Sequence, residues 1–419
     1  MKIVILSDGF LPAAVGGAEV IAHRSAAALA AAGQTVTVLT TSPNIRTIER
    51  GQRDGCAVVT IPSNVSPRLR SWLGAYHPAV VRAVDEILAV DPPDVVHAHN
   101  LHTQLSFASL RAAARHARRV FLTAHDPLLV HYDKFSEAVD PSDLSSQPRV
   151  RERVSLVDQL QAARWRYNPF RGPTIRWTLA GVTRVFAVSD ALGRILIASG
   201  IGRVSTLHNG ISVAAFRPDP SRVAELRKHL GVAERPVILF AGRPTRAKGI
   251  EVIRQAFQRV EHHPTQPVLL VCSLQRSGIT REGAIIRASF APQEMSSVYG
   301  LSSFVVVPSI YPDPFPTVNL EAGAAGRAVI GTCFGGTPEV VLNGETGIIV
   351  NPFNRDALVQ AMRWLLDRPE EAAAMGERAR CRIAEHFTLE RHLGQLLAWY
   401  RGEPRLLPDL HDGASLPRS

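Results

Sequence analysis

Two acidic side chains, Asp313 and Glu321, flank a proline-rich loop in the last third of the sequence. The loop follows the apolar run 304–308, whose short, β-branched character predicts a buried parallel strand. Pro316 is well placed to begin a helix, because proline is favoured in the first helical turn. With seven residues between them, the two carboxylates suit the hydroxyls of one ligand better than a metal pair. We therefore expect a sugar-nucleotide site lined by Asp313, Pro314, Phe315, Pro316, Thr317 and Glu321.

A second loop carries two cations. Arg243 and Lys248 lie five positions apart in a glycine-flanked loop, between an apolar strand and a predicted helix over 249–260. Arginine can donate two hydrogen bonds to the oxygens of one phosphate, and lysine adds a compact positive charge. The helix dipole also favours an anion at this position. A solvated surface loop is the alternative for such a pair by itself. Because this loop and Asp313 follow strands of the same predicted sheet, we expect them at one edge, gripping one ligand.

Three histidines end two further predicted strands. His97 and His99 end the first and face the same side, and His125 ends the second and precedes Asp126. A zinc site would need a third ligand or a helical spacing, and neither is evident, so we predict no metal and no other cofactor. His125 is the histidine expected to contact substrate. A satisfied structural histidine is its alternative reading.

The first loop of the chain contains Gly16 and Gly17, at the start of a predicted alanine-rich helix over 18–32. Bare backbone amides at a helix N-terminus can face a phosphate or a sugar. A tight turn is the alternative for a lone Gly-Gly pair. The G-x-G-x-x-G fingerprint is absent here, which counts against a dinucleotide-binding domain.

Apolar strands alternate with helices along almost the whole chain. Strands are predicted at about 2–7, 35–41, 94–98, 119–123, 184–188, 236–241, 267–272, 284–289, 304–308, 327–331 and 347–350. This alternation predicts an α/β protein with two Rossmann-like, doubly wound domains that face each other across a cleft. We place the domains at 1–207 and 208–385, a C-terminal helix that crosses back to the first domain at 386–402, and a flexible tail at 403–419.

Composition limits the class of protein. The chain has 419 residues, of which 46% are hydrophobic and 20% charged, and its four cysteines are scattered. Neither a zinc framework nor a disulfide framework is suggested, and no apolar run is long enough to span a membrane. We expect a cytoplasmic protein. Despite a net charge of +10, no nucleic-acid-binding module is recognisable, so nucleic acid is not an expected partner.

The positive charge is concentrated in one segment. Residues 149–184 carry eight arginines against two acids, interleaved with Trp165, Tyr167, Phe170 and Trp177. This segment belongs to an insertion at about 127–184 in the first domain. Arginine with tryptophan is typical of peripheral contact with anionic headgroups, so we expect docking at the inner face of a membrane or on a lipid-diphosphate acceptor. An arginine-rich, partly buried helical pair is the alternative.

Seven short patterns occur in order along the chain: Phe10-Leu-Pro-x3-Gly16-Gly17-x-Glu19, Val-x-His97-x-His99, Thr-x-His125-Asp, Asn209-Gly210, Gly242-Arg243-x4-Lys248-Gly249, Asp313-Pro-Phe-x5-Glu321-Ala and Gly-Gly-x-Pro-Glu339. Together they resemble the retaining, nucleotide-sugar-dependent glycosyltransferases of the GT-B fold (glycosyltransferase family four). The resemblance covers essentially the whole chain. It implies a nucleotide-diphosphate-sugar donor held mainly by the second domain and a hydroxyl acceptor (glycan, lipid-linked or small molecule) held mainly by the first.

The resemblance also implies a role for each matching residue. Arg243 and Lys248 would take the diphosphate, Glu321 the ribose hydroxyls, Asp313 the transferred sugar, Gly16 and Gly17 the distal phosphate or sugar, and His125 would sit beside the donor sugar. Two positions depart from the family pattern, in which glutamate usually stands at Asp313 and glycine often at Pro316. No D-x-D sequence is present, so we expect charge stabilisation by the cations without a metal, and transfer with retention.

Two other functions fit the same architecture. One is an epimerase or hydrolase of nucleotide-diphosphate sugars, and the other is a sugar-nucleotide-binding protein without catalysis. The paired basic and acidic loops favour the transferase over both.

Overall fold

The computed structural model describes residues 1–11, 16–273 and 278–403. Its strands are Lys2–Ser7 (β1), Thr35–Ser42 (β2), Glu49–Arg53 (β3), Cys56–Pro62 (β4), Val95–His99 (β5), Arg119–Ala124 (β6), Arg184–Ala187 (β7), Val204–Thr206 (β8), Val237–Ala241 (β9), Val268–Cys272 (β10), Thr280–Glu282 (β11), Ile285–Ala288 (β12), Phe304–Val307 (β13), Val329–Thr332 (β14) and Gly347–Val350 (β15).

The helices occupy most of the chain between these strands. They are Gly17–Ala31 (α1), Arg70–Leu73 (α2), Pro78–Val90 (α3), Ser109–His116 (α4), Leu156–Ala163 (α5), Arg171–Leu179 (α6), Asp190–Ala198 (α7), Pro220–Leu230 (α8), Ile250–Gln258 (α9), Met295–Leu301 (α10), Thr317–Ala324 (α11), Thr337–Val340 (α12), Arg355–Asp367 (α13), Pro369–His386 (α14) and Leu389–Arg401 (α15).

The strands form two sheets. The first has the order β3-β4-β2-β1-β5-β6-β7-β8, and the second has the order β11-β12-β10-β9-β13-β14-β15. Within each sheet all neighbours are parallel except the outermost pair, β3 with β4 and β11 with β12. The strand order reverses between β1 and β5 in the first sheet and between β9 and β13 in the second. The prediction of two Rossmann-like, doubly wound α/β domains is therefore confirmed.

Parallel strands covered by helices on both faces are mostly apolar, and the central strands of these two sheets follow this rule. Every residue of β13 is buried, and so is every residue of β5, including two histidines. The reversals of strand order position the site, because ligands of such sheets bind beyond the carboxyl ends of the strands at these points.

The sequence prediction missed the first sheet's outer strands. β3 reads Glu-Arg-Gly-Gln-Arg and is exposed at all five positions, so it has neither an apolar run nor alternation. It is an edge strand, where charged residues are tolerated because one side faces water. Its partner β4 alternates imperfectly, and the two are joined at Asp54 and Gly55, both with positive φ.

The last helix, α15, packs against the first sheet. The hydroxyl of Tyr400 lies 2.5 Å from Nδ1 of His97 on β5, and the Trp399 ring meets Phe186 edge-on at 5.6 Å between centroids. Arg119, at the start of β6, donates to the carbonyl oxygen of Tyr400 at 2.8 Å. Tyr400 is buried in the same apolar cluster as the strand residues Ile3 and Ile5.

Two sequence predictions concern the C-terminal tail and membrane-spanning helices. The tail predicted for 403–419 lies outside the described residues from residue 404 onward. Among the helices that the structure describes, none is both long enough and apolar enough to cross a bilayer.

Candidate active site

A cavity of about 460 Å³ lies between the carboxyl ends of the two sheets. Its walls come from both sequence halves. From the first half they include Gly16, Gly17, Glu19, Arg70, Asn100, His102, His125, Asp126, Asp133 and Lys134, and from the second Asn209, Arg243, Lys248, Tyr311, Asp313, Pro314, Phe315, Pro316 and Thr317. Its size is typical of small-molecule sites. Nearly all the residues predicted for the site share this one cavity.

On the second sheet, the basic loop (242–249) follows β9 and the acidic loop (311–317) follows β13. These two strands are neighbours at the reversal of strand order, so the loops meet. Lys248 Nζ forms an ion pair with the Asp313 carboxylate, which also accepts a 3.0 Å hydrogen bond from Ser309 Oγ. Asp313 is 4% exposed. A buried carboxylate needs such partners, because desolvation otherwise disfavours its charge.

Glycines allow the two loops to approach each other. Gly249 has φ of +77°, and a Cβ there would lie 1.9 Å from the carbonyl oxygen of Pro308. Gly335, which precedes α12, has φ of +65°, and its Cβ would lie 2.0 Å from the carbonyl oxygen of Asp313. Only glycine satisfies both the positive φ and the close backbone contact. Both positions therefore hold the acidic loop in place.

Three cations face the cavity near the ion pair. Arg243 is exposed and has no described partner. Lys134 comes from the first half of the chain, and its Nζ lies 5.1 Å from the centre of the Tyr311 ring, while Lys248 Nζ lies 5.7 Å from it. Burial and then the charges of Lys248 and Arg243 lower the pKa of Lys134. This crowding of like charges indicates a place for an anion.

Glu321 lies apart from the other predicted residues. It is half-buried in α11, is absent from the cavity walls, and accepts a 2.7 Å hydrogen bond from the hydroxyl of the buried Tyr299. Burial, together with the charge of Glu321, raises the pKa of Tyr299 well above its usual value. Glu321 is thus fixed at the side of the site, while Pro314, Phe315, Pro316 and Thr317 face the cavity directly.

On the first sheet, β5 and β6 deliver the histidines. His99 Nδ1 and His125 Nε2 lie 3.0 Å apart, so the two rings share a hydrogen bond. His125 lines the cavity, and its backbone N–H donates a hydrogen bond to Asn100 Oδ1 at 3.0 Å. Burial, with a smaller contribution from His392, lowers the pKa of His125 to about 3. The ring is therefore neutral at physiological pH and can exchange hydrogen bonds with a ligand.

His97 lies away from the cavity, with its two nitrogens occupied by Tyr400 and by Thr123 Oγ1 at 2.7 Å. Among the described residues, Asp190, His208 and Glu339 are the grouping with metal-like spacing. Both Glu339 carboxylate oxygens already accept backbone N–H groups, from Asp190 and Ala191, each at 2.9 Å. These bonds make the grouping a structural contact.

That contact joins the two domains. Glu339 lies in α12 of the second domain, whereas Asp190 and Ala191 begin α7 of the first, so the carboxylate caps a helix across the cleft. His208 Nε2 adds a third bond to Glu339 at 2.8 Å. A carboxylate is stabilised at a helix N-terminus, since the first N–H groups have no partner within the helix. We call these four residues the interdomain latch.

Gly16 and Gly17 begin α1 directly after the first gap in the described residues. Gly17 is exposed and no heavy atom lies within 4 Å of the place of its missing Cβ, whereas at Gly16 that place is taken by Glu19 Oε2 at 2.1 Å. Gly16 therefore lets Glu19 fold back over the helix start. The first-turn residues of α1 line the same cavity as Arg243 and Lys248 of the basic loop.

Sequence comparison now identifies the chain. Residues 15–215 match the family model described as "Glycosyltransferase Family 4", and residues 222–382 match "Glycosyl transferases group 1". The glycogen synthase of Mycobacterium tuberculosis is 26% identical over 98% of each chain. The chain is a family-four-like glycosyltransferase of the GT-B fold. The D-inositol 3-phosphate glycosyltransferase of Rhodococcus jostii is 33% identical, but that match covers 48% of this chain and 47% of the relative.

Solved structures of GT-B glycosyltransferases have the same fold. Sucrose-phosphate synthase of Thermosynechococcus elongatus superposes with a TM-score of 0.72 at 23% identity, over 96% of this chain and 98% of that one. Anabaena Alr3699/HepE, solved in complex with UDP-glucose, has a TM-score of 0.67 at 18% identity, over 96% of this chain and 100% of that one. The match to the spore coat protein SA of Bacillus subtilis, at 25% identity, spans 65% of that relative.

Several wall residues of this glycosyltransferase escaped the sequence prediction. Lys134 has no glycine or helix start beside it, and Arg70 begins a helix of only four residues, so nothing in their spacing distinguishes them. Asn100 was visible as a polar residue after β5, and its φ of +44° marks a tight turn at the sheet edge. Tyr311 opens the acidic loop, and could have been found because it precedes the three prolines.

Proposed function

We propose that this glycosyltransferase transfers a sugar from a nucleotide-diphosphate sugar to a hydroxyl of its acceptor, with retention of anomeric configuration and without a metal ion. One observation carries the proposal: Arg243, Lys248 and Lys134 converge from both domains beside the Asp313 carboxylate. Three cations next to one acid suit a ligand with a diphosphate at one end and hydroxyls at the other.

The bond changes follow from this arrangement. The bond between the anomeric carbon and the diphosphate oxygen breaks, and its electron pair leaves with the nucleoside diphosphate. The acceptor hydroxyl oxygen bonds to the same face of that carbon and gives its proton to the departing phosphate oxygen. Arg243 and Lys248 hold the growing negative charge, a contribution on the scale of about 3–4 kcal/mol for one such preorganised donor.

The other predicted site residues hold the sugar and the nucleotide in this proposal. Asp313 accepts hydrogen bonds from the sugar hydroxyls, and Glu321 accepts them from the ribose. His125 is neutral, and contacts the sugar as a hydrogen-bonding partner rather than as a proton source. Gly16 and Gly17 offer backbone amides to the distal phosphate or the sugar. Pro316 has no N–H, so its backbone cannot donate to the sugar.

Cations supply the charge that a divalent ion would otherwise supply, so we propose that activity survives chelation. The support for metal independence comes from the resemblance, in which the donor diphosphate meets arginine and lysine. The support for a nucleotide-sugar donor also includes one fold neighbour, Anabaena Alr3699/HepE, solved with UDP and with UDP-glucose.

We also propose that the insertion contacts an anionic membrane surface. Trp165, Phe170 and Trp177 are 71%, 65% and 50% exposed, and Trp72 of α2 lies 6.4 Å from the Phe170 ring and is 47% exposed. These four residues are called the aromatic surface. Arg153, Arg164 and Arg176 are exposed nearby in sequence with no described acidic partner. Aromatic rings with unpaired arginines suit anionic lipid headgroups.

The test of the transferase proposal is a donor screen followed by product analysis. Thermal shift against UDP-, GDP-, ADP- and TDP-sugars identifies the donor, and NMR of the product reports its anomeric configuration with and without a chelator. An inverted product would overturn retention, and loss of activity on chelation would overturn metal independence. Epimerised donor without release of the nucleoside diphosphate would indicate an isomerase instead.

A further inference from the structure

A small second cavity lies beside the active-site cavity, in the first domain. Three arginines line it, Arg70, Arg166 and Arg171, together with Ser71, His102, Leu128 and Tyr132. Arg70, His102 and Leu128 belong to the walls of both cavities. The second cavity, which we call the arginine pocket, is therefore a side chamber of the active site.

The arginines are brought together from three short elements. Arg70 begins α2, Arg166 ends the 3₁₀ turn Arg164–Arg166, and Arg171 begins α6. Arg171 is 7% exposed, and its Nη2 donates to the carbonyl oxygen of Leu128. Its guanidinium carbon lies 4.7 Å from the centre of the Tyr132 ring. This side chain is held in one position, as expected of a binding group.

Positive charge in the arginine pocket is not neutralised by the described residues. No carboxylate forms an ion pair with Arg70, Arg166 or Arg171 among them. Asp126 acts on Arg70 and Arg171 only at longer range, since its oxygens accept hydrogen bonds from Asn100 Nδ2 and Leu128 N. Converging cations without a counter-ion repel one another, and an anion would remove that cost.

A second observation points to the same ligand. Ser71 lines the pocket and is 7% exposed, yet its hydroxyl has no hydrogen-bond partner. A buried hydroxyl left without a partner costs about 1–3 kcal/mol, and a water molecule or a ligand oxygen that accepts its hydrogen bond removes that cost. A phosphate oxygen can accept from a hydroxyl and from two guanidinium groups at once.

We propose that the arginine pocket binds a phosphate group carried by the acceptor. The acceptor is then a phosphorylated sugar or polyol, or the phosphodiester headgroup of a lipid, with its hydroxyl directed toward His125 and the donor. This inference rests on the proposed transferase function and names its acceptor class. The phosphate site is distinct from the diphosphate site, because Arg243 and Lys248 line only the larger of the two cavities.

The experiment uses inorganic phosphate as the probe. Phosphate is titrated into the protein saturated with a nucleoside diphosphate that the donor screen has identified, and binding is followed by calorimetry. We expect one phosphate site in the wild type and a loss of affinity of about tenfold or more in Arg166→Met, since a charge-assisted hydrogen bond is removed. Arg166→Lys should recover part of the affinity.

Arg164→Met is the matched control, because Arg164 is exposed two residues away and does not line the pocket. It should leave phosphate affinity unchanged. Equal weakening in Arg164→Met and Arg166→Met would overturn the proposal, as the effect would then be one of general charge. Ser71→Ala is a second variant, expected to fold well and to bind phosphate several-fold more weakly.

Two further arms separate this inference from the transferase proposal. Arg243→Ala should keep the phosphate site while it weakens nucleoside-diphosphate binding, and loss of phosphate binding in Arg243→Ala alone would overturn the inference. If no nucleoside diphosphate binds the wild type, the transferase proposal fails, and the Arg166→Met and Arg164→Met pair still decides the phosphate site.

Competition then identifies the source of the phosphate. Displacement of inorganic phosphate by glucose 6-phosphate supports a soluble phosphomonoester acceptor. Displacement by vesicles of phosphatidylglycerol, with glucose 6-phosphate inactive, supports a lipid headgroup. Displacement by neither would overturn the assignment of this pocket to an acceptor.

Discussion

Lys248 and Asp313 form an ion pair, although they follow different strands of the second sheet and stand 65 residues apart in sequence. The pair joins the basic loop to the acidic loop at the reversal of strand order. The lysine proposed for the diphosphate therefore stabilises the carboxylate proposed for the sugar. We expect removal of either residue to affect both loops.

This pair predicts a difference between two cation variants. Lys248→Ala should weaken nucleoside-diphosphate binding and also destabilise the fold by about 3–5 kcal/mol, since it leaves Asp313 buried and unpaired. Arg243→Ala should weaken binding alone, because Arg243 is exposed and has no described partner. Calorimetry and urea unfolding measure the two effects. Equal stability of the two variants would show that the ion pair does not hold the loops.

The interdomain latch predicts that one carboxylate helps to close the cleft. Glu339→Gln keeps the size of the side chain, but its single carbonyl oxygen can no longer pair with both Asp190 N–H and Ala191 N–H. We expect a more open molecule in small-angle scattering and weaker donor binding. Glu345→Gln, at an exposed position of the same domain, is the control. Scattering curves identical to the wild type would contradict a closing role.

The contact of Tyr400 with His97 predicts that the last helix stabilises the first domain. Tyr400→Phe leaves the buried Nδ1 of His97 without a partner and should cost about 1–3 kcal/mol of unfolding free energy. Tyr76→Phe removes a hydroxyl from a side chain that is 47% exposed and should be neutral. Urea unfolding of both variants makes the comparison, and matching losses would rule out a special role for the buried contact.

Five histidines with lowered pKa values, three of them buried and two half-buried, predict that acid destabilises the fold. Burial lowers the pKa of His97, His102 and His125 to about 3, of His392 to about 4, and of His99 well below its usual value. Below pH 6.5 these histidines bind protons in the unfolded chain but not in the folded chain. The free energy of unfolding therefore decreases as the pH is lowered. Each histidine contributes about 1.4 kcal/mol per pH unit in that range.

Two carboxyls with raised pKa values partly oppose this loss. Burial raises the pKa of Asp8 and Asp126 to about 6, so the folded state takes up their protons first and gains stability as pH falls below that value. With five groups against two, we expect a net loss of a few kcal/mol between pH 7 and 5.5 in urea unfolding. His392→Asn should reduce the slope, and His262→Asn, at a side chain 93% exposed, should not. Stability independent of pH over this range would contradict the prediction.

The aromatic surface predicts binding to anionic vesicles. In the double variant Trp165→Ala and Phe170→Ala, sedimentation with phosphatidylglycerol vesicles should fall several-fold, because two exposed rings are removed. Ile279→Ala changes an exposed apolar residue of the second domain and should have no effect. Equal sedimentation of the wild type with neutral and anionic vesicles would end the membrane proposal.

The fold was predictable because the buried parallel strands correspond to short apolar runs in the sequence. Runs such as Phe304–Val307 have few alternatives, whereas β3 is charged at an edge and follows no pattern. Site residues next to glycine or proline were also predictable, since those residues mark the loops at strand ends. Lys134 and Arg166 were not, because they reach the site through an irregular insertion whose path depends on tertiary packing.

The side of the site on which Glu321 lies could not be read from spacing either. Thr317 lines the cavity, whereas Glu321 lies one turn further along the same face of α11 and contacts Tyr299, and the spacing of Asp313 and Glu321 does not record how far along α11 the cavity extends. The Lys248–Asp313 ion pair was not predictable either, because the family resemblance implies that the two residues contact opposite ends of the ligand.

The position of α15 has a consequence for biosynthesis. The face of the first sheet that receives Tyr400 and Leu396 belongs to a domain that leaves the ribosome first, yet its cover is translated after the whole of the second domain. During that interval an apolar face near Phe121 and Phe186 stays in water, where a nascent chain is prone to aggregate. A ribosome that stalls within residues 208–388 would therefore release a chain that chaperones can recognise as unfinished.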